Sequence, residues 1–422
     1  MALDSNFDVS EMFAARESQR SAMHTRYLNE QFVRVLKTIG YDVGFQKGQG
    51  QYLYDRAGDK YLDLLSGFGV FAIGRNHPAL RQALKSVLDA DLPNLVQFDV
   101  STLAGILAER LLEHVPYLDK VFFANSGAET VEAAIKFARG ATGRPGIVYC
   151  SHAFHGLSYG ALSLTDDSNF RLGFEPLLPG CTPVPFNDLA ALERALSSKQ
   201  VAAFIVEPIQ GKGVNLPDES YLRAAAELCR KHQTLFIADE VQTGLGRTGR
   251  ILACDHEGVR PDGLTLGKAL GGGLLPVSAF CAREDLMAVF NPGDHGSTFG
   301  GNPLGAAVGE TALTLLEHGP YCETARVQGD HLLARLRALD HPAITDIRGK
   351  GLLVGVEIDP AFAGARRVCD ALVDEGVLTK DTHGTVVRMA PPLTIAAEQI
   401  DQAVAALGRA LASIEAAEPV AA

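Results

Sequence analysis

The chain has 422 residues, of which 47% are hydrophobic and 21% are charged, and its formal net charge is −12. This length is enough for two domains with buried cores, and the composition is that of a globular protein. The acidic balance argues against nucleic acid as a general partner, because binding a phosphate backbone requires a basic surface.

The seven cysteines are scattered along the chain and form no Cys-x-x-Cys pair. This distribution is typical neither of a disulfide framework nor of a zinc site, so we predict no bound metal and a reducing, cytoplasmic location. Residues 1–26 contain no signal-peptide core, and no apolar run approaches the roughly 20 residues needed to span a bilayer. We therefore expect no association with a membrane.

The chain begins with a predicted helix over residues 10–38, and short strands follow at 52–54 and 61–65. From about residue 78, short apolar strands alternate with helices, which predicts a mostly parallel sheet covered by helices on both faces. The predicted helices of this stretch are 79–88, 103–114, 129–139 and 221–232, and its predicted strands are 121–124, 147–150, 202–206 and 235–238.

The pattern changes again after about residue 315. We predict an α/β protein with a large central domain over residues 76–314. A smaller α+β lobe is built from both chain ends, residues 1–75 and 315–422. The last segment has predicted helices at 324–339, 366–375 and 397–414, and predicted strands at 351–358 and 385–389.

A carboxylate pair ends one of the buried strands. The apolar residues 235–238 run directly into Asp239 and Glu240 and then into a glycine-rich loop. Ligands of α/β sheets bind at the carboxyl ends of parallel strands, so this position favours a functional role. A lone carboxylate at such a place is more often structural. The functional interpretation of Asp239 therefore depends on Lys268, which follows it in the sequence.

Lys268 stands in an apolar run and is followed by three glycines within residues 271–273. A buried ammonium group is costly, whereas a lysine that forms a Schiff base loses most of that cost. Desolvation also lowers a lysine pKa and frees the amine to attack a carbonyl. A Schiff-base lysine and an acidic partner for a pyridinium nitrogen are what pyridoxal 5′-phosphate (PLP) requires.

Two glycine-containing segments are candidates for the phosphate of such a cofactor. Residues 123–130 place Ser126, Gly127 and Ala128 before a helix, where backbone N–H groups and the helix dipole favour an anion. Residues 295–303 offer hydroxyl groups on a glycine-rich loop. Phe154 lies between these two segments in the sequence and has the flat ring needed for stacking on the cofactor, although ordinary core packing explains it equally well.

Two motifs carry a resemblance to a known family. Residues 238–249 read Ala-Asp-Glu-Val-Gln-Thr-Gly-Leu-Gly-Arg-Thr-Gly, and residues 267–273 read Gly-Lys-Ala-Leu-Gly-Gly-Gly. With the segments 206–211 and 348–352, they resemble the class III aminotransferases of the ornithine and acetylornithine type, from about Gln51 to the C-terminal helix. That resemblance implies the fold-type I architecture of PLP enzymes, with a mostly parallel, seven-stranded sheet flanked by helices.

The resemblance implies a ping-pong transfer of a terminal amino group from an amine or ω-amino donor to a 2-oxo acid, or the reverse. Lys268 would carry the cofactor as a Schiff base and shuttle the proton. Glu207 would act as a gate that neutralises Arg388, which grips the 2-oxo acid carboxylate. A homodimer is also implied, with Thr298 completing the partner's phosphate site. The implied cofactor-binding residues are Ser126, Gly127, Ala128, Phe154, His155, Glu207, Asp239, Gln242, Lys268 and Thr298.

Three departures from the family pattern bear on the substrate. Leu157 stands where such enzymes have an arginine that binds a substrate carboxylate, and Phe68 replaces a tyrosine. The loop after Glu207 is short and carries Lys212 in place of an acid. Phe68, Phe71 and Leu157 together favour a donor with a neutral or apolar body, because a carboxylate buried against Leu157 would lack a partner.

Several alternatives stay open. Ornithine, acetylornithine or putrescine is the donor if the departures only repack an unchanged pocket. An aminomutase or a decarboxylating transaminase would use the same scaffold. A non-catalytic PLP-fold protein is disfavoured by the joint presence of Lys268, Asp239, Gln242 and Thr298. A nucleotide-binding enzyme is disfavoured because neither glycine-rich nucleotide motif is present.

Overall fold

The structure is a computed structural model, and it describes residues 8–38, 41–93 and 100–417. The chain divides into two compact units. One unit comprises Met1–Lys47 with Tyr54–Asp59, and the other comprises Gly48–Leu53 with Lys60–Ala422. The predicted domain boundaries at residues 75 and 314 stay a prediction.

The small unit contains three helices where the sequence predicts one. They span Val9–Arg16, Arg20–Tyr27 and Glu30–Thr38, with a 3₁₀ turn at Glu17–Gln19. The break before the third helix has a local cause, since the Asn29 side chain accepts a hydrogen bond from the Phe32 N–H at 3.0 Å. Asparagine favours such a helix start over a helix interior, so the prediction of one helix over 10–38 is wrong.

The large unit is built on a seven-stranded sheet. Six strands run in one direction, and Ser278–Ala282 runs antiparallel to both of its neighbours. The predicted α/β class with a mostly parallel sheet is confirmed. From edge to edge the strands are Lys120–Ala124, Ser278–Ala282, Gly263–Leu266, Leu235–Asp239, Val201–Val206, Gly146–Cys150 and Cys181–Val184.

Helices cover this sheet, and its central strands are fully buried. Every residue of Val201–Val206 and Leu235–Asp239 is buried, which explains why these strands read as continuous apolar runs. The helices Leu189–Leu196 and Pro303–His318 were not predicted; the second begins at Asn302, whose side chain caps it. The remaining helices up to residue 318 are Pro78–Asp89, Thr102–His114, Gly127–Thr142, Tyr159–Leu162, Ser168–Arg171, Tyr221–Lys231 and Glu284–Met287.

The structure also has two four-stranded sheets, one formed by C-terminal strands alone and one formed by three N-terminal strands with Val377–Leu378. Where the sequence predicts one strand at 351–358, the structure has a hairpin of Ile344–Lys350 and Leu353–Ile358. Gly351 makes the turn at φ +55°, and a Cβ there would lie 2.5 Å from the carbonyl carbon of Thr248. The other strands are Lys380–Thr382 and Val386–Met389 in the same sheet, and Lys47–Gln49, Tyr52–Tyr54, Lys60–Asp63 and Val377–Leu378 in the second.

Three helices pack in this C-terminal part, and they span Tyr321–Arg337, Ala365–Asp374 and Ala397–Ala417. Each is close to its predicted range and buries an apolar face, as Leu332, Leu372 and Leu407 illustrate. Among the described residues, no helix is both long and apolar enough to cross a membrane.

Candidate active site

A cavity of about 1080 Å³ opens at the carboxyl ends of the parallel strands. Phe154, Glu207 and Lys268 line it, and each follows a different strand of the sheet. This is the edge at which parallel sheets bind ligands. The other lining residues are Phe68, His152, Asp166, Asp167, Ser168, Asn169, Phe170, Gly211, Lys212, Gln242, Lys380, Asp381, Thr382, His383, Gly384 and Arg388.

Lys268 begins a short 3₁₀ turn directly after the strand Gly263–Leu266. Its φ of +42° lies in the left-handed region, an uncommon conformation for a lysine that marks a functional position. Burial and then the positive charge of Arg388 lower the pKa of the amine to about 8. An appreciable share of Lys268 is therefore uncharged near neutral pH and able to attack a carbonyl.

Asp239 ends its strand as a buried carboxylate with several partners. One oxygen accepts hydrogen bonds from the Thr265 hydroxyl at 2.9 Å and from the Val241 N–H at 3.1 Å. The other oxygen lies 2.7 Å from Nδ1 of His155. Thr265 faces Asp239 because the two residues are register partners in neighbouring parallel strands. These contacts fix the orientation of the carboxylate.

His155 is fully buried behind the cavity wall. Burial alone would lower the pKa of its imidazole, but the hydrogen bond to Asp239 and the charge of Asp239 raise it above the ordinary value. Nε2 of the ring is buried and has no hydrogen-bond partner among the residues that the structure describes. The contact with His155 therefore holds the Asp239 carboxylate in one orientation at this point of the site.

Gln242 lies against an unusual left-handed turn. All four residues of Ser66–Gly69 have positive φ, including Phe68 at +62°. A Cβ on Gly69 would lie 2.5 Å from Nε2 of Gln242, so glycine is needed where the turn touches this amide. The amide nitrogen is buried and has no partner within the described ranges. The turn also directs Phe68 toward the cavity, which it lines.

Glu207 and Arg388 both hydrogen-bond to the backbone of Gly211. The Glu207 carboxylate accepts hydrogen bonds from the N–H groups of Phe154 at 3.0 Å and Gly211 at 2.8 Å. Arg388 donates from Nη1 to the Gly211 carbonyl at 2.7 Å. Burial raises the pKa of Glu207 and lowers the pKa of Arg388 to about 10. Gly211 thus connects Glu207 with Arg388, the two residues that the family resemblance implies act together.

The two candidate phosphate segments lie side by side. Ser126 caps the helix Gly127–Thr142 and forms a capping box with Glu129. Asn125 donates from Nδ2 to the Ser297 hydroxyl at 2.9 Å, which joins this helix start to the glycine-rich loop. Thr298 is exposed and does not line the cavity. The capping box uses the N–H groups of Ser126 and Glu129, which leaves those of Gly127 and Ala128 in the first turn to face an anion beside a loop that also bears hydroxyl groups.

The three residues predicted to make the donor side apolar are not brought together. Phe68 lines the cavity, whereas Phe71 and Leu157 do not. Phe71 is packed under Arg75, whose guanidinium carbon lies 3.7 Å from the ring centroid. Leu157 is 53% exposed. The apolar lining comes instead from Phe68 with Phe154 and a ring that the sequence did not single out, Phe170.

These residues suit PLP. The lysine amine has a lowered pKa, a buried carboxylate stands near it, and Phe154 offers a ring at the cavity wall. Polar atoms of Gln242 and Arg388 are buried there without partners in the described part of the chain. Because buried polar groups in proteins are nearly always hydrogen-bonded, these atoms indicate a bound polar group.

The sequence relatives of this chain share one chemistry. The sequence profile described as Aminotransferase class-III matches residues 38–411. An ornithine aminotransferase from Exiguobacterium sp. is 43% identical over 377 residues, which cover 87% of this chain and 92% of the relative.

Solved structures agree with the sequence relatives. The ornithine aminotransferase from Toxoplasma gondii, which has PLP at partial occupancy in its active site, is 36% identical with a TM-score of 0.87, covering 95% of this chain and 98% of that one. The acetylornithine aminotransferase from Elizabethkingia anophelis is 37% identical with a TM-score of 0.79, covering 91% and 99%.

Proposed function

The chain belongs to the class-III aminotransferases, which makes it a PLP-dependent transaminase, and we propose that Lys268 and Asp239 are its catalytic residues. It moves a terminal amino group between an amine or ω-amino donor and a 2-oxo acid. The assignment of Lys268 rests on the position of its side chain. Lys268 lines the cavity, and the pKa of its amine is lowered to about 8.

PLP, when bound, supplies an aldehyde and a ring that draws electrons from the carbon bearing the substrate amine. The residues of the chain bind and orient the reactants around it. The Lys268 amine would take up the proton that leaves this carbon and return a proton to the cofactor. Asp239, oriented by His155 and Thr265, would pair with the ring nitrogen. Gln242 would hydrogen-bond to the ring hydroxyl, and Phe154 would pack against the ring.

Two unlike substrates use one cavity in turn. Arg388 binds the carboxylate of the 2-oxo acid, since its planar guanidinium fits a carboxylate with two hydrogen bonds. When the donor lacks a carboxylate at that place, the negative charge of Glu207 balances that of Arg388, and both side chains hydrogen-bond to the backbone of Gly211. A shift of Gly211 is then enough to free Arg388 for the acid.

The donor is a terminal amine with an apolar middle section. Three phenylalanines, Phe68, Phe154 and Phe170, line the cavity, and their rings favour methylene groups over charged ones. Ornithine is one candidate donor, because relatives of this chain are named ornithine aminotransferase. An apolar monoamine and a diamine are the other donors that the lining suits.

A titration of the purified protein with single amines tests this function. The visible absorbance of the bound cofactor is followed while n-pentylamine, putrescine, ornithine or 4-aminobutyrate is added. We expect at least one donor to remove the absorbance band, and a 2-oxo acid such as 2-oxoglutarate or pyruvate to restore it. If the band is present and no amine of the panel changes it, the proposed donor class is wrong.

A homodimer in the cytoplasm completes the proposal. Thr298 is exposed on its loop and lies outside the cavity of its own chain, which suits a hydroxyl that reaches the phosphate site of a second copy. The cytoplasmic location rests only on the scattered cysteines of the sequence.

Thr298→Ala is expected to weaken retention of PLP by about tenfold or more, because one hydrogen bond to a charged phosphate is lost. Cofactor loss during dialysis measures this effect, and sedimentation of the same samples gives the oligomeric state. Thr298→Ser keeps the hydroxyl and should behave as wild type. Unchanged retention in Thr298→Ala would show that this residue has no part in a shared site.

A further inference from the structure

Part of the active-site cavity has a charged lining that the transamination mechanism does not use. We call these residues the outer cluster. They come from the loop after Gly146–Cys150, the segment before the short helix Ser168–Arg171, the loop after Val201–Val206 and the strand Lys380–Thr382 with the turn after it. The outer cluster consists of His152, Asp166, Asp167, Lys212, Lys380, Asp381 and His383.

The two lysines of the outer cluster are already neutralised within the protein. Lys212 forms an ion pair with Asp167, and its ammonium lies 4.7 Å from the centroid of the Phe170 ring. Lys380 lies 2.8 Å from Asp381, which also pairs with Arg366 at 3.0 Å. An anionic group of a substrate would therefore have to compete with a carboxylate for either lysine.

Asp166 is different from the other two carboxylates. One of its oxygens accepts a hydrogen bond from the His152 N–H at 3.1 Å. Across residues 8–38, 41–93 and 100–417, no lysine, arginine or histidine lies within ion-pair distance of it. Its side chain is half-buried and lines the cavity. A carboxylate accepts about four hydrogen bonds, so Asp166 retains capacity for a cation.

Aromatic rings contact both the outer cluster and the catalytic residues of the cavity. Arg388 lies 5.8 Å from the centroid of Phe68, and Phe154 packs edge-on against Phe170 at 5.6 Å. Phe170 in turn lies under Lys212 of the outer cluster. A ligand that contacts both Lys268 and the outer cluster therefore shares the cavity with these rings, which suit a chain of methylene groups.

We infer that Asp166 is a specificity-determining residue that binds a second ammonium group at the far end of the amine donor. Diamines and diamino acids carry that group, whereas monoamines and ω-amino acids with one amine do not. The inference rests on the proposed function, because the first amine must react at Lys268. An uncharged far end would bury the Asp166 carboxylate without a partner, which is unfavourable.

Asp166→Asn tests the inference with a matched pair of donors. Putrescine and n-pentylamine have similar length and differ in whether the far end is an ammonium or a methyl group. In wild type we expect putrescine to react with a higher kcat/KM than n-pentylamine. In Asp166→Asn we expect kcat/KM for putrescine to fall by about 10- to 100-fold, the effect of losing a charge-assisted hydrogen bond, while that for n-pentylamine changes less than about twofold.

Ornithine, tested beside putrescine, shows whether the second ammonium group belongs to a diamine or to a diamino acid. A loss for putrescine and ornithine alike means that Asp166 binds both diamines and diamino acids, and a loss for putrescine alone restricts the donors to diamines. For each donor whose kcat/KM falls in Asp166→Asn, the apparent dissociation constant from the absorbance titration should rise as well. Asp330→Asn is the matched control, since it removes the same charge from a side chain that is 72% exposed on the helix Tyr321–Arg337.

The possible failures are distinguishable. If wild type binds the cofactor but no donor changes its absorbance, the proposed function fails. If wild type uses n-pentylamine as well as putrescine and Asp166→Asn alters neither, the assignment of Asp166 is wrong and the transaminase function stands. The cofactor absorbance of each variant shows whether its active site has folded, and asparagine can still accept the hydrogen bond from His152.

Discussion

Lys268→Ala is expected to abolish turnover, with a fall in kcat of at least about 10⁴-fold, because the variant lacks both the amine that binds the cofactor covalently and the group that moves the proton. Lys268 is placed for both roles, since it follows a buried strand, lines the cavity and has a pKa lowered to about 8. The measurement is single-turnover absorbance with the best donor from the amine titration. Cofactor should remain bound without a covalent link.

The pH dependence of cofactor capture gives an independent check on Lys268. Only the uncharged amine attacks an aldehyde, so the apoenzyme should take up PLP faster as the pH rises through about 8 and then level off. An ordinary lysine, with a pKa of about 10.4, would continue to gain rate well above that pH. Lys85, exposed on the helix Pro78–Asp89, is the control: Lys85→Ala should match wild type. Turnover by Lys268→Ala close to that of wild type would refute the assignment.

The central part of the fold was predictable because its signals are local. Strands such as Val201–Val206 are apolar at every position, and only a sheet covered on both faces accommodates such runs. The strand Ser278–Ala282 carries the same kind of run but is short and follows a glycine-rich loop, so it was not predicted. The N-terminal helix was predicted too long because a capping side chain, Asn29, acts on a single residue and leaves the apolar spacing unchanged.

The active-site residues that could be predicted are those that stand out in their own stretch of sequence. Lys268 and Asp239 stand out because charged groups in apolar runs are rare. The partners of Asp239 come from other segments, and nothing in the sequence near His155 or Thr265 indicates that they meet it. Asp166 shows the same limit more clearly, because its role depends on which neighbouring acids are already paired with lysines.

The apolar donor side illustrates the opposite error. The family pattern predicts Phe71 and Leu157 in the pocket, because Leu157 replaces an arginine that binds substrate and Phe71 belongs to the same active-site segment as Phe68. In the structure Phe71 packs under Arg75, and Leu157 faces outward. Adjacent residues in a loop point in different directions, and their spacing does not tell which of them reaches the cavity. Phe170, from a separate segment, lines the cavity instead.

Asp239→Asn is expected to lower kcat by about 10²- to 10³-fold, the usual effect of removing one aligned electrostatic group from an active site. Asparagine has nearly the same shape and can still accept the hydrogen bond from Thr265, but it removes the charge and turns an amide N–H group toward Nδ1 of His155. Without that charge the ring nitrogen of the cofactor is no longer kept protonated, and the ring draws electrons less strongly. The measurement is kcat together with the pH dependence of the cofactor absorbance.

His155→Asn separates the charge of Asp239 from its orientation. The imidazole contacts the carboxylate at 2.7 Å, so its loss should disturb the position of Asp239 but leave its charge in place. We expect a smaller fall in kcat, about 10-fold, as is typical when a group that orients a catalytic residue is removed. If His155→Asn and Asp239→Asn are equally impaired, the ion pair acts as one unit, and if Asp239→Asn retains wild-type kcat, Asp239 is not the partner of the ring nitrogen.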